Sequence, residues 1–425
     1  MHRSNQFIKK TNKTVISMNV VCIAVFCLYL VIHIYFYSTV IKKNTLNEEK
    51  GKENIKVSEL RQLKEINPQD GRASSTNHED NDKEKEDIKK IRPKPKLSDP
   101  NQFLTEEGIN EYYSNALLPL STIVDFWHPE STDQPIDWID VVPRFDWNDP
   151  ISRKAAQMVR ESEKPFVMTG VPELLQTSKK WNSKYLYRKL SKKTGNVEIS
   201  NTKSFMFWRR KGNARNGPTF YERMSWDSFL EKAKKLDFKN IPNEKHYYWH
   251  TSASSDPWIE EDLKMFDIKN DFFIVDKSEY NVPIACRIGT KGLCNENHYD
   301  THRTFAAQII GSKRWIFQPP TECEKMYLYP DKHISSRHSM IDINSGNINF
   351  TKYPKAKTAL AIETVIHEGE IGYLPSNWFH HIISQEFNIQ CIARSGHSLE
   401  GDDYIENCGF AGGRRAMGKP KKRKK

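Results

Sequence analysis

Hydrophobic residues change their rhythm several times along this chain. No charged residue occurs between Lys13 and Lys42, and residues 15–41 are overwhelmingly apolar and aromatic. As a helix rising about 1.5 Å per residue, such a run crosses a bilayer core of about 30 Å. A cleavable signal peptide has an apolar region of about 7–15 residues ending in small side chains. This run is longer and closes on Tyr35-Phe36-Tyr37-Ser38, so an uncleaved signal anchor is expected after a short cytosolic segment, residues 1–14. Residues 42–133 read as a charged stem, largely disordered. Runs such as Asp82-Lys83-Glu84-Lys85-Glu86-Asp87 offer too little apolar surface to offset chain entropy.

From about residue 134 the pattern becomes that of a folded domain. Helical spacing appears in 151–162 and again in 225–236, where Trp226, Phe229, Leu230 and Ala233 recur and Ser225 can cap the start. From Tyr247 onward, short apolar runs bounded by Gly, Pro, Asn and Asp predict strands. Residues 305–310 and 313–317, separated by Gly311-Ser312, predict a tight hairpin, and further strands are expected at 359–365, 371–374 and 389–393. The expected class is mainly β with flanking helices (α+β): a jelly-roll, or double-stranded β-helix, over residues 134–400. A basic tail, 401–425, follows.

Charge adds less than its total suggests. The formal net charge is +11, and Arg414, Arg415, Lys419, Lys421, Lys422, Arg423, Lys424 and Lys425 supply most of it. The excess thus describes a tail, and beside a membrane anchor it argues for no specific nucleic-acid partner. Arg3, Lys9, Lys10 and Lys13 precede the apolar run and favour a cytosolic N-terminus, hence a type II protein with a lumenal domain in the endoplasmic reticulum or Golgi. The sequon Asn349-Phe350-Thr351 fits that address. Cys286, Cys294, Cys323, Cys391 and Cys408 have no CxxC spacing, so no zinc site or disulfide framework is implied, although an oxidising lumen would permit a bridge.

Candidate chemistry centres on His298 and Asp300. Residues i and i+2 of a strand point the same way, so the two can grip one ion while Tyr299 faces elsewhere. Two imidazoles and one carboxylate hold Fe(II) on one face and leave the opposite positions open. His380 lies 80 residues beyond Asp300, in Leu374-Pro375-Ser376-Asn377-Trp378-Phe379-His380, and is the candidate third ligand. The tripeptide alone is weak, since His78-Glu79-Asp80 shows the same spacing in a charge-rich stretch. On the strand 313–317, Lys313, Trp315 and Phe317 share a face. A lysine among aromatics is costly unless it meets an anion, and the opposite register would turn Arg314 inward instead.

Several spaced motifs resemble the JmjC oxygenases, which are cupin-like, and in particular the asparaginyl hydroxylases of the hypoxia-inducible factor. They are His298-Tyr299-Asp300 through Phe305-Ala306-Ala307-Gln308-Ile309, Gly311-Ser312-Lys313-Arg314, Pro319-Pro320, Glu363-Thr364-Val365, Gly369-Glu370-Ile371-Gly372-Tyr373-Leu374-Pro375 and Trp378-Phe379-His380-His381-Ile382. Upstream, Lys164-Pro165-Phe166-Val167-Met168-Thr169-Gly170 and Ile288-Gly289-Thr290-Lys291-Gly292 also fit, and the likeness covers roughly residues 140–396. The resemblance implies Fe(II) held by His298, Asp300 and His380, with 2-oxoglutarate as cosubstrate, molecular oxygen as oxidant and ascorbate as an accessory reductant. It implies that Lys313 binds the remote carboxylate of 2-oxoglutarate, that Tyr247 helps to hold it (Tyr248 being the alternative by one register step), and that Asn295 replaces a hydroxyl-bearing neighbour of the cosubstrate. Arg394 with Ser395-Gly396 departs from the pattern, which bears on the substrate.

The expected function is a membrane-anchored dioxygenase that hydroxylates a polypeptide. The competing expectations are a non-catalytic, membrane-tethered cupin binding a glycan or protein partner, or a lysyl demethylase if the domain is not lumenal.

Overall fold

The computed structural model describes residues 96–206, 217–238, 245–276 and 283–410. The expected anchor at 15–41, most of the stem and nearly all of the basic tail lie outside the described residues. Among the described residues, no helix is long and apolar enough to cross a membrane.

The strands, in chain order, are β1 (Leu118–Pro119), β2 (Arg144–Asp146), β3 (Phe166–Thr169), β4 (Thr194–Ser200), β5 (Ser204–Phe205), β6 (Phe220–Ser225), β7 (His246–Ser252), β8 (Ala285–Gly289), β9 (Cys294–Tyr299), β10 (Thr304–Ile310), β11 (Lys313–Gln318), β12 (Leu360–Ile366), β13 (Ile371–Leu374), β14 (Phe379–Ser384) and β15 (Asn388–Arg394). They form two sheets, one ordered β2-β3-β13-β10-β15-β8-β7-β4-β6 and the other β1-β12-β11-β14-β9-β5. From β8 to β15 the chain crosses repeatedly between the sheets, staying in one of them only where β11 pairs antiparallel with β12. That winding is the double-stranded β-helix of a jelly roll.

The expected 305–317 hairpin does not form. β10 pairs with β13 and β15, whereas β11 pairs with β12 and β14, so Gly311-Ser312 turns the chain from one sheet into the other. Gly311 has φ +70°, and a Cβ there would run into the Phe387 carbonyl. Glycine was correctly read as a turn, but both strands are buried on both faces, so each takes two neighbours other than the other.

Folded structure also begins before residue 134. Thr105 caps the helix Glu106–Ala116 by accepting from the Gly108 amide at 3.1 Å, and a second helix follows at Leu120–Phe126. Phe103, Ile109, Tyr113, Leu120, Ile123, Val124 and Trp127 are all buried. The charge-dense stretch ends before residue 98, and residues 103–127, with only Glu106, Glu107, Glu111 and Asp125 charged, belong to the folded domain and complete the core. At the other end, the helix Asp402–Asn407 carries Ile405 into the cluster on the outer side of the smaller sheet. Two disulfides close long loops: Cys286–Cys391 between paired residues of β8 and β15, and Cys323–Cys408.

Arg314 joins the early segment to the sheet. It is fully buried, donates from Nε to Glu363 at 2.7 Å and from an Nη to the Trp127 carbonyl at 2.8 Å, and stacks over the Trp127 ring at 4.1 Å. Removing one member of a buried ion pair leaves the other charge uncompensated, at a cost of about 3–5 kcal/mol. Arg314→Ala is therefore expected to lower the denaturant midpoint by an equivalent amount. A midpoint unchanged from wild type would show that the pair does not hold this segment.

Candidate metal centre

His298 on β9 and His380 on β14 stand directly opposite each other in the antiparallel pairing. Their ring centroids are 4.2 Å apart. Asp300 follows β9 immediately, and its backbone carbonyl accepts from the Asn377 amide at 2.7 Å, which ties the two strand ends together. Ligand atoms of His298, Asp300 and His380 all lie within 4.8 Å of one another. His380 is buried, while His298 and Asp300 keep partial exposure, so the cluster has one open side.

The imidazoles are oriented from behind. His298 Nδ1 lies 2.7 Å from the Glu296 carbonyl and His380 Nδ1 lies 3.2 Å from the Trp378 carbonyl. An Nδ1–H donated to a carbonyl leaves the Nε2 lone pair for a metal. Burial, reinforced by His298, pushes the His380 pKa down to about 3, so it is neutral as a ligand must be. Burial alone would raise Asp300, but the permanent charges of Arg394 and Arg337, joined by His298 and His380 only where those rings are protonated, hold its carboxyl well below the usual range. The donor set fits a divalent ion such as Fe(II).

Strict alternation along β9 would put Cys294 and Glu296 on the same side as His298. It does not hold, because the β9–β14 register shifts: His298 pairs with His380, yet Asn295 pairs with Ile382. The extra residue in β9 places Asn295 beside Ile382, on the side of His380, and turns Cys294 to the far side. There Cys294 Sγ sits 3.2 Å from Nε2 of His381, which faces away from the metal cluster. Asn295 thus lies on the metal-facing side.

Lys313 is fully buried, and its Nζ donates to the Tyr248 hydroxyl at 3.0 Å. Register places Lys313, Trp315 and Phe317 opposite Ser384, Ile382 and His380, on the metal-facing side, as alternation predicted. The tyrosine expectation moves by one residue: Tyr248 meets Lys313, while Tyr247 lies under the Lys232 ammonium on the other face of β7. Both are tyrosines on one strand, so only the register with β8 could decide.

Three further residues had no signal in the sequence. Arg287 pairs with His250 on β7, the same side as Tyr248, and its charge feels both Tyr248 and Arg394. Arg337 Nη1 approaches Asp300 to 3.8 Å, and the His338 ring stacks on His298 at 4.7 Å between centroids. The last two arrive on the long β11–β12 connection, whose approach to β9 no local pattern announces.

A family model described as a cupin-like domain matches residues 152–393. This chain belongs to the cupin-like JmjC family. The match spans the jelly roll and all three clustered ligands. The human tRNA wybutosine-synthesizing protein 5 is 26% identical over 257 residues, 58% of this chain and 75% of its own length. The Xenopus tropicalis lysine-specific demethylase 8 is 26% identical over 220 residues, 52% of this chain but 45% of its own. A Dictyostelium discoideum JmjC domain-containing protein D is 32% identical over 116 residues, about a quarter of either chain.

Two measurements test the centre. His298→Ala and His380→Ala, each leaving two ligands, are expected to lose Fe(II) binding by calorimetry at concentrations that saturate wild type; retention would mean that the ion sits elsewhere. Tyr248→Phe removes one hydrogen bond to a charged group, worth about 1.5 kcal/mol, and is expected to weaken 2-oxoglutarate binding about tenfold. Tyr247→Phe is expected to leave it unchanged, and the reverse pattern would restore the original assignment.

Proposed function

We propose that this chain is a membrane-anchored, Fe(II)- and 2-oxoglutarate-dependent dioxygenase that hydroxylates a polypeptide. The observation that carries the reading is the convergence of His298, Asp300 and His380 on the sheet face that also carries Lys313, a buried lysine whose ammonium donates to the Tyr248 hydroxyl and has no carboxylate partner among the described residues. Bound Fe(II) and 2-oxoglutarate supply oxygen activation, with succinate and carbon dioxide as coproducts. The two histidines present neutral Nε2 atoms and Asp300 an ionised carboxylate. Lys313 and Tyr248 offer an ammonium and a hydroxyl to the remote carboxylate of the cosubstrate, where burial strengthens the attraction. Arg287 and Arg394 add positive charge to the same interior and favour an anionic cosubstrate.

Hydroxylation follows from the sequence resemblance, and a polypeptide substrate also agrees with the demethylases among the relatives. The anchor at 15–41 and a type II topology come from the sequence. Two disulfides and the exposed sequon residue Asn349 support a lumenal domain.

Full-length chain in detergent, supplied with Fe(II) and ascorbate, is expected to convert 2-oxoglutarate to succinate. Asp300→Ala should fall to background, and peptides should stimulate turnover where tRNA does not. Equal turnover in wild type and Asp300→Ala would remove the catalytic reading in favour of a binding module, and stimulation by tRNA alone would remove the polypeptide. For topology, a glycosidase-sensitive mobility shift in cells should vanish in Asn349→Gln.

A further inference from the structure

Behind the metal centre, on the other side of β9, Cys294, Glu296 and His381 converge. All three are buried, Cys294 and His381 completely, and their ligand atoms lie within 4.8 Å of one another. Cys294 is also the one cysteine outside the disulfides among the described residues. We propose that Cys294, Glu296 and His381 form a second metal site, of the zinc class, back to back with the His298–Asp300–His380 centre.

The ligand chemistry favours zinc. A thiolate, an imidazole and a carboxylate are each ordinary zinc ligands, and the thiolate and carboxylate together neutralise a divalent charge in a buried place. Three protein ligands leave a fourth position for water. The soft sulfur separates this site from the nitrogen and oxygen set of the other centre, so the two can sort different metals. The ligands are also held in place beforehand. Cys294 and Glu296 come from β9 and His381 from the neighbouring β14, and the register shift between those strands is what brings them to one side. The short parallel strand β5 pairs with β9 at Cys294 and closes that edge of the sheet.

The site would act on its neighbour through the backbone. Glu296 supplies the carbonyl that orients His298, and His381 adjoins His380, so an ion here would clamp both strands that aim the first centre.

Cobalt distinguishes the two centres, because only a thiolate gives an intense near-ultraviolet charge-transfer band with Co(II). Full-length chain in detergent, stripped by chelator, is titrated with Co(II). Wild type and a His298→Ala/His380→Ala double variant are expected to develop the band, and the double variant to bind about one zinc per chain by elemental analysis. Cys294→Ser should lack the band, and His381→Gln should weaken cobalt binding at least about tenfold with near-ultraviolet circular dichroism unchanged. The conservative His381→Gln change keeps the test valid should Cys294→Ser fail to fold. No band in wild type, or a band that survives Cys294→Ser, overturns the second site. Failure of the dioxygenase reading would instead appear as absent succinate production with the cobalt–thiolate band intact.

Discussion

The pairing of β9 with β14 is the constraint on which the rest depends. Directly opposed residues in an antiparallel pair hold their Cβ atoms about 4.5–5.5 Å apart, close enough for two imidazoles to share one ion. His298 and His380 occupy such a pair although 82 positions separate them in sequence. A slip of one residue would send one ring to each face and abolish the cluster. The register is therefore the site. It is held by neighbours on both sides, with β14 also paired to β11 along its length and β9 paired to β5.

The register shift within that pairing costs ladder hydrogen bonds, and the long β11–β12 connection replaces them. The Ser339 amide donates to the Asn297 carbonyl at 2.8 Å, and His298 forms a β-bridge with His338. The same connection buries Ile341, Ile343 and Ile348 against the outer side of the smaller sheet. One insertion thus covers the back of the sheet, satisfies the irregular strand and delivers Arg337 and His338 to the front. These jobs cannot be separated by removing the loop.

Much of this was legible in the sequence, and the reasons for the remainder are specific. His-x-Asp spacing and the alternation around Lys313 express a period of two, which holds wherever a strand stays regular. It failed at Cys294 and Glu296, where one extra residue inverts the side. Turn chemistry at Gly311-Ser312 was correctly read as a turn, but a turn does not say to which sheet the next strand belongs. Trp127 and its neighbours form an apolar stretch that lies beyond the charge-dense stem, but their partners, such as Arg314, lie nearly two hundred residues away, so no local pattern ties them to the β domain. Tyr247 and Tyr248 differ by one step of a strand, and the choice belongs to β8.

Strain gathers around the carboxylate ligand in a way that the register alone does not require. Among the described residues, four that are not glycine adopt positive φ, and two of them, Arg337 at φ +76° and Asn377 at φ +65°, touch Asp300. Asparagine adopts this conformation more readily than most residues, and Asn377 Nδ2 is further anchored by donating to Asp402 at 2.9 Å. Arginine has no such compensation, so its backbone energy must be offset by what the conformation permits. Here it sets a guanidinium beside the Asp300 carboxylate, and with Arg394 it keeps that group ionised against burial. The histidines need only orientation, which two carbonyls provide. Asp300 needs both a fixed backbone, held through its carbonyl by the Asn377 amide, and a counter-charge for its carboxylate, from the arginines, and the strained backbone lies where those two needs meet.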